Sequence, residues 1–247
     1  VLCISVTTLL TINCSALTIK ENIIGNGKVV EVKRNLNPFT KIRNLGPIDV
    51  FIKGGQEQSV NIVTDENIVQ YIILKVNDDG LLELHIDRSV NIKTCTKLQV
   101  HITIPEFSDL FLAGSGSITI DGEYAAVDEV KMGVAGSGDI KINSIINYNK
   151  LNLSIAGSGD IKFTSNSKAQ EINASIAGSG DINAGKVISK KTKINIAGSG
   201  SFRTYTEESL KANIAGSGDV YYGGQPQIKI TKVGSGSLIP KSNLEKL

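Results

Sequence analysis

Apolar and polar residues alternate along most of this chain, which is the pattern of β-strands that bury one face. Between residues 113 and 238 the alternating segments come in pairs, one before and one after a Gly-Ser-Gly turn. Residues 151–155 (Leu-Asn-Leu-Ser-Ile) and 160–163 (Asp-Ile-Lys-Phe) form one such pair. The pattern predicts a series of strand–turn–strand units with one buried face.

The turn motif, Gly-Ser-Gly followed by Asp or Ser, occurs seven times and sets a repeat of 18 to 22 residues. This period is too short for a helical-hairpin repeat or a propeller blade, and it suits one coil of a β-solenoid. We therefore predict an all-β fold, a single-stranded parallel β-helix. Its variable coil length favours the right-handed form over the strict 18-residue left-handed form.

Stacked coils would align apolar residues into two inward columns. The first column is Ile118, Ile140, Ile161, Ile182, Phe202, Val220 and Leu238. The second column is Leu112, Val134, Ile155, Ile176, Ile196 and Ile214. Each such side chain contributes ~1.5–3 kcal/mol when fully buried, so the two columns predict a sizeable core.

Both glycines of every motif are expected to form structural corners. Glycine turns sharply without a Cβ clash, and its missing side chain lets successive backbones stack at the ~4.8 Å strand spacing. The predicted corner residues are Gly114, Gly116, Gly136, Gly138, Gly157, Gly159, Gly178, Gly180, Gly198, Gly200, Gly216, Gly218, Gly234 and Gly236. A phosphate-binding loop would instead open a helix, whereas each motif here opens a strand.

Residues 39–112 contain alternating segments without the motif. A turn at 77–80 (Asn-Asp-Asp-Gly) joins segments 72–76 and 81–86 into a predicted hairpin, and one short helical turn is expected near Asp65. We interpret 39–112 as irregular N-terminal β coils that cap the solenoid, because a bare edge invites aggregation. The repeat β-helix then spans 113–240, and 241–247 form a C-terminal tail.

The first 16 residues are interpreted as a secretory signal whose own start is truncated. An uncharged apolar run at 1–12 is too short for a membrane span, and the small residues Ser15 and Ala16 follow it. Cleavage after Ala16 would leave 17–38 as the N-terminal segment of a mature chain without a transmembrane span. Two alternatives stay open: lipidation of Cys14, although Asn13 precedes it, or a buried first strand.

Composition narrows the class of partner. The 247 residues carry a net charge of +2, with Lys and Asp interleaved and no basic run, so nucleic acid is not expected as a partner. Without the signal, Cys95 is the single cysteine, which excludes an internal disulfide. Cysteine chemistry therefore offers no site, and no cofactor is expected.

An outward row of carboxylates follows the glycine corners. Asp139, Asp160 and Asp181 would stack about 5 Å apart, close enough to share a cation, and they are weak Ca²⁺ candidates. Diagonal ion pairs with Lys141 and Lys162 would instead neutralise the row without metal. Catalytic carboxylates are the third interpretation of this row.

Other side chains offer little chemistry. His85 and His101 lie between inward apolar residues and are expected to face solvent. Tyr221 could stack on a sugar ring, whereas covering the sheet face is the simpler role. Tyr222 is expected to pack inward.

Several segments together resemble the head GIN domain family of auto-transporter adhesins. They are 39–42 (Phe-Thr-Lys-Ile), 46–52 (Gly-Pro-Ile-Asp-Val-Phe-Ile), 81–86 (Leu-Leu-Glu-Leu-His-Ile), 100–105 (Val-His-Ile-Thr-Ile-Pro) and the Ala-Gly-Ser-Gly-Asp-Ile repeats. The resemblance covers roughly 39–222. It implies a bacterial, secreted, β-helical protein of the envelope without catalytic residues.

Two function classes follow. The first is a non-catalytic binding module in the periplasm or on the cell surface, whose flat faces meet a surface protein or a glycan, with homo-oligomers as an option. The second is a polysaccharide-active β-helix enzyme that uses the Asp row. A flat ladder around the Asp residues would favour the binding module, whereas a groove with long loops would favour the enzyme.

Overall fold

The protein forms a β-solenoid of about 6 turns, in which 66% of the described residues belong to strands. The structure is a computed structural model that describes residues 20–241. It confirms the predicted all-β solenoid, while the handedness stays a prediction. The signal at 1–16, the lipidation site at Cys14 and the tail beyond residue 241 lie outside the described residues.

Residues 20–241 contain 21 strands and one 3-10 turn, Val69–Tyr71, in place of the helical turn expected near Asp65. The strands before the repeats are β1 (Glu21–Ile24), β2 (Val29–Arg34), β3 (Lys41–Asn44), β4 (Asp49–Gly54), β5 (Ser59–Asp65), β6 (Ile72–Val76), β7 (Leu81–Ile86), β8 (Val90–Thr94) and β9 (Leu98–Ile104). Those of the repeats are β10 (Asp109–Gly114), β11 (Ser117–Asp121), β12 (Val127–Gly136), β13 (Asp139–Ile142), β14 (Asn147–Gly157), β15 (Ile161–Phe163), β16 (Ser167–Gly178), β17 (Ile182–Gly198), β18 (Phe202–Gly216), β19 (Val220–Gly223), β20 (Gln227–Val233) and β21 (Leu238–Pro240).

These strands build two main faces, which we call sheet one and sheet two. Sheet one has the spatial order β6, β7, β3, β10, β12, β14, β16, the ends of β17 and β18, and β20. Sheet two has the order β2, β5, β9, β4, β11, β13, β15, the beginnings of β17 and β18, β19 and β21. Strands β1 and β8 form a separate parallel pair.

The rungs of the repeat region pair in parallel and place equivalent residues opposite one another. Gly136, Gly157 and Gly178, for example, are successive partners in sheet one. The first predicted column is buried from Ile118 to Val220, at no more than 1% exposure, and only its terminal Leu238 is half-buried. The second column is buried throughout, so both inward columns are confirmed.

The N-terminal region is built differently. Strands β2 and β5 are antiparallel, and β6 and β7 form the predicted hairpin, whose turn has Gly80 at φ +71°. The rung of β3 and β4 lies between the rung of β7 and β9 and that of β10 and β11. Spatial order therefore departs from chain order in this region, which the sequence pattern did not indicate.

Each long strand of the repeats also bends before it enters sheet one. The part ahead of the bend forms a short third side of the rung, which we call the short side. Its inward column is Val127, Tyr148, Ala169, Ser189 and Thr206. In β14, Tyr148 and Leu151 are both buried, so the alternation changes phase across Asn149 and Lys150. The ring of Tyr148 packs edge-on against Phe163, with centroids 6.4 Å apart. The bend brings side chains of the short side into the same core as the two sheets.

Hydroxyl groups fill the core of the short side where the rungs become shorter. Ser189, Thr192, Thr204 and Thr206 are each at most 1% exposed. The Thr192 hydroxyl lies 2.7 Å from those of Ser189 and Thr206, and Ser189 Oγ donates to the Tyr205 carbonyl at 3.0 Å. Because every member has a hydrogen-bond partner, this polar cluster is compatible with burial.

Candidate functional site

The glycine corners connect the two sheets. The first glycine of all seven motifs has φ between +119° (Gly234) and +138° (Gly114), a region that L-residues rarely adopt. The second glycine packs against the preceding rung, since a Cβ on Gly159 would overlap the Gly138 carbonyl oxygen. Backbone packing of this kind leaves no open space inside the corner for a ligand.

At the four corners that Asp follows, its carboxylate completes the hydrogen bonding of the backbone. Asp139 Oδ1 accepts from the Asp160 N–H at 2.9 Å, and Asp160 Oδ1 accepts from the Asp181 N–H at 2.8 Å. Asp181 and Asp219 accept in the same way from Ser201 and Ser237, at 2.7 and 2.8 Å. Directly after the corner, the carboxylate thus takes the place of a backbone carbonyl as the acceptor.

This geometry changes the interpretation of the Asp row. Within residues 20–241, the row makes one ion pair, Arg203 Nη1 to Asp181 Oδ2 at 3.8 Å, rather than the expected pairs with Lys141 and Lys162. The same part of the chain has no group of three or more His, Cys, Asp or Glu side chains placed to hold a metal ion. Each of Asp139, Asp160 and Asp181 accepts a backbone N–H bond, and Asp181 has Arg203 as a second partner.

The two histidines make local contacts. His101 is exposed, and its ring stacks on Phe51 with centroids 5.0 Å apart. His85 is half-buried, with Nδ1 3.1 Å from the Ile86 carbonyl oxygen. Neither of these contacts involves a serine or a carboxylate.

The aromatic residues at the end of sheet two cover its face. The Arg203 guanidinium lies 5.1 Å from the centre of the half-buried Tyr221 ring, and the Tyr221 hydroxyl donates to Asp219 Oδ2 at 3.3 Å. Tyr222 is half-buried and packs against the core. Both tyrosines therefore have contacts within the protein.

The outer face of sheet one is a ladder of polar and small residues in register from rung to rung. One outward column of the repeats is Lys131, Asn152, Asn173, Lys193, Lys211 and Lys229. The next is Gly133, Ser154, Ser175, Asn195, Asn213 and Thr231. Amides bond along these columns, as from Asn213 Nδ2 to Asn195 Oδ1 at 2.8 Å.

A polar cavity of ≈ 350 Å³ lies at the bend between sheet one and the short side. Its lining is Asn149, Lys150, Gln170, Glu171, Lys190, Lys191 and Glu208. Lys193 Nζ donates to Glu171 Oε1 at 2.9 Å, and this hydrogen bond holds the pKa of Glu171 below its ordinary value. The sequence analysis did not predict the cavity; the change of alternation phase between Tyr148 and Leu151 is the signal that indicates a bend there.

No helix among residues 20–241 has the length and apolar character needed to cross a membrane.

Solved structures share this fold. A putative adhesin from Bacteroides fragilis NCTC 9343 has a TM-score of 0.80 at 24% identity, over 89% of this chain and 100% of that chain. A putative lipid binding protein from Parabacteroides distasonis ATCC 8503 has a TM-score of 0.73 at 24% identity, over 90% and 100%. A putative adhesin from Parabacteroides merdae ATCC 43184 has a TM-score of 0.70 at 23% identity, again over 90% and 100%. At these identities the likeness shows the fold alone.

Comparison with protein families shows which family the chain belongs to, whereas the solved structures show its fold. No curated protein matches it. The model of the family described as putative auto-transporter adhesin, head GIN domain, matches residues 38–226, which is most of the chain. The predicted resemblance is thereby confirmed, and the chain belongs to the head GIN domain family.

Proposed function

We propose that this protein is a non-catalytic binding module that holds a surface protein or a glycan on the bacterial envelope. The observation that carries the proposal is the repeated outer face of sheet one, in which successive rungs present similar amides, hydroxyls and lysines. Repeated weak contacts give strong attachment through avidity, without one deep pocket. The family description and the names of two similar structures, all of which say putative adhesin, support this proposal.

The polysaccharide-active enzyme is the competing function. It needs carboxylates that are free to transfer protons or bind a cation, next to a groove that holds the chain being cleaved. The Asp row accepts backbone N–H bonds from rung to rung and follows closely packed glycine corners. These contacts favour a structural role for the row, and they support the binding module.

Export is the second part of the proposal. An apolar run at 1–12 followed by Ser15 and Ala16 supports a secretory signal that is removed, or a lipid anchor at Cys14. N-terminal sequencing and mass spectrometry of the protein from the native envelope would distinguish the two. A cytoplasmic protein that retains Val1 would contradict both.

Binding is tested by applying the full chain to arrays of glycans and of surface and matrix proteins. We expect attachment that strengthens with the density of the immobilised partner, because several rungs contribute. Lys162→Ala, a change on sheet two, should alter it little. The absence of attachment to every array would contradict the binding module.

Catalysis is tested on the same glycans by measuring release of reducing ends or unsaturated sugars. We expect no cleavage. Cleavage that Asp160→Asn alone abolishes, with the melting temperature unchanged, would replace the binding module by the enzyme.

A further inference from the structure

Lysines accumulate on the outer face of sheet one towards its C-terminal end. Lys193, Lys211 and Lys229 are register partners on three successive rungs, and all three are exposed. On the two rungs before Lys193 the same column holds Asn152 and Asn173, which are hydrogen-bonded to each other at 3.3 Å. Like charges opposite one another on neighbouring strands are unfavourable. Carboxylates of a neighbouring column or of a ligand would relieve the repulsion between these lysines.

The neighbouring column provides such charge only to the earlier rungs. Its members in order are Glu129, Lys150, Glu171, Lys191, Ser209 and Gln227. Glu129 pairs with Lys150 at 3.5 Å, and Glu171 pairs with Lys193 at 2.9 Å. Among the ion pairs of residues 20–241 there is none for Lys211 or Lys229. Two adjacent rungs therefore present positive charge that no carboxylate within 4.0 Å balances.

The polar cavity borders this lysine column. Lys191, on its rim, is the column neighbour of Glu171 and Ser209, and Lys190 lies beside it. The amides of Asn149 and Gln170 and the carboxylate of Glu208 also line the cavity. Its ≈ 350 Å³ is within the range of small-molecule sites, about 300–1,000 Å³. Amides, carboxylates and ammonium groups together are suited to the hydroxyls and the charge of an acidic sugar.

We propose that this face binds an anionic polysaccharide that runs along the solenoid axis. Its carboxylate or sulfate groups would lie on Lys211 and Lys229, and one sugar ring would occupy the cavity beside Lys191. This inference rests on the proposed binding function and names the chemical class of its ligand. A nucleic acid is less suited, since the second outward column has Ser175, Asn195 and Asn213 where bases would need aromatic side chains to stack on.

The proposal is tested with the full chain on immobilised dextran sulfate, polygalacturonate, neutral dextran and single-stranded DNA. We expect binding to the sulfated polymer, the carboxylated polymer or both, and the two arms show which anion is recognised. Neutral dextran should not bind, and added salt should weaken the complex because it screens exposed charges. Absence of binding to both anionic polymers would overturn the inference. Equal or tighter binding of DNA would also overturn it, in favour of a nucleic-acid ligand.

Two matched double variants locate the site. Lys211→Gln with Lys229→Gln should weaken polysaccharide binding about tenfold, because two exposed charge contacts are lost. Lys141→Gln with Lys162→Gln makes the same charge change on exposed, adjacent rungs of sheet two, and it should leave the affinity within about twofold. Equal losses in both variants would overturn the proposed location.

Two further controls separate a folding defect from a loss of binding, and this inference from the proposed binding module. If the glutamine variant at Lys211 and Lys229 misfolds, as judged by circular dichroism, the threonine pair replaces it, because β-branched residues suit strands. A chain that attaches to the arrays independently of these lysines would overturn this inference and leave the binding module standing. A chain that attaches to nothing would contradict the binding module itself.

Discussion

The repeat region and the N-terminal region are both stacked β-rungs, yet they are stabilised in different ways. From 113 to 240 each rung contacts a near copy of itself, so one kind of corner, one carboxylate acceptor and two apolar columns recur. Between 20 and 112 parallel and antiparallel pairings are mixed, and the region contains individual contacts such as the buried carboxylate of Asp65, which accepts from the N–H groups of Gly27 and Thr96. Repetition distributes stability over many equivalent contacts, whereas the N-terminal region depends on individual residues.

The largest difference between the regions is expected from glycine. Gly159→Val should cost ~3 kcal/mol or more, because its side chain would overlap the Gly138 carbonyl of the preceding rung. Gly46→Val is the matched change outside the repeats, where a Cβ meets nothing within 4 Å. It should cost ~1 kcal/mol or less, because Gly46 is half-buried with space for a Cβ, and a residue before proline favours the extended backbone that suits valine. Urea unfolding of both variants measures the difference, and equal losses would contradict the role assigned to the corner.

Asp→Asn substitutions compare the stability contributed by a carboxylate that occurs once, Asp65, with that of one from the repeated row, Asp160. Asp65→Asn should cost ~2 kcal/mol, because both oxygens of this buried carboxylate accept N–H bonds and asparagine keeps only one acceptor. Asp160→Asn should cost ~0.5 kcal/mol or less, since one oxygen is enough to accept the Asp181 N–H. Thermal unfolding measures the total loss of stability in each variant. Hydrogen exchange should show the loss at Thr96 and little change at Asp181.

The buried hydroxyl cluster tests whether the stability of the repeat region can also depend on a single residue. Thr192→Val keeps the side-chain shape and removes bonds of 2.7 Å to Ser189 and Thr206, so we expect a loss of ~1 kcal/mol. Ile194→Val, two residues along the same strand, removes one buried methylene and should cost a similar ~0.5–1.5 kcal/mol. Hydrogen exchange distinguishes them: only the first should increase exchange at residues 204–206. Unchanged exchange there would mean that the cluster does not hold the short side.

The smallest effect concerns pH. The hydrogen bond from Lys193 lowers the pKa of Glu171 below its ordinary 4.5, so this carboxylate stabilises the fold above that pH. Its contribution is lost as the pH falls through the lowered pKa, and Glu171→Gln should make the melting temperature slightly less dependent on pH in that range. Glu66→Gln is the control, since its pair with Lys28 is more exposed and more fully screened. A steeper acid dependence in Glu171→Gln would contradict the assignment.

The regular part of the fold could be predicted because its information is local and repeated. Once Gly157 and Gly178 are aligned, period-two alternation determines that Ile161 and Ile182 point inward, and the structure agrees. The hairpin at 77–80 was predictable for a similar reason, because its turn residues lie between two alternating segments.

The remaining features depend on contacts between distant residues. The insertion of the β3–β4 rung between two later rungs involves Lys41 and Leu81 as partners, and no local pattern indicates this pairing. The acceptor role of Asp160 depends on an N–H that the corner leaves without a carbonyl, and the row was interpreted from charge alone. The polar cavity depends on polar side chains of several rungs that come together at a bend, and a pattern within one strand does not show which rungs are neighbours.

Register between near-identical rungs has an evolutionary consequence. Duplication of one whole coil, for example residues 137–157, would add a turn whose upper and lower neighbours are already compatible with it. A single inserted residue would instead turn every following side chain of its strand to the opposite face. Selection can therefore lengthen such a molecule in steps of whole coils, and lineages that share this architecture can differ in reach while keeping the same chemistry on each rung.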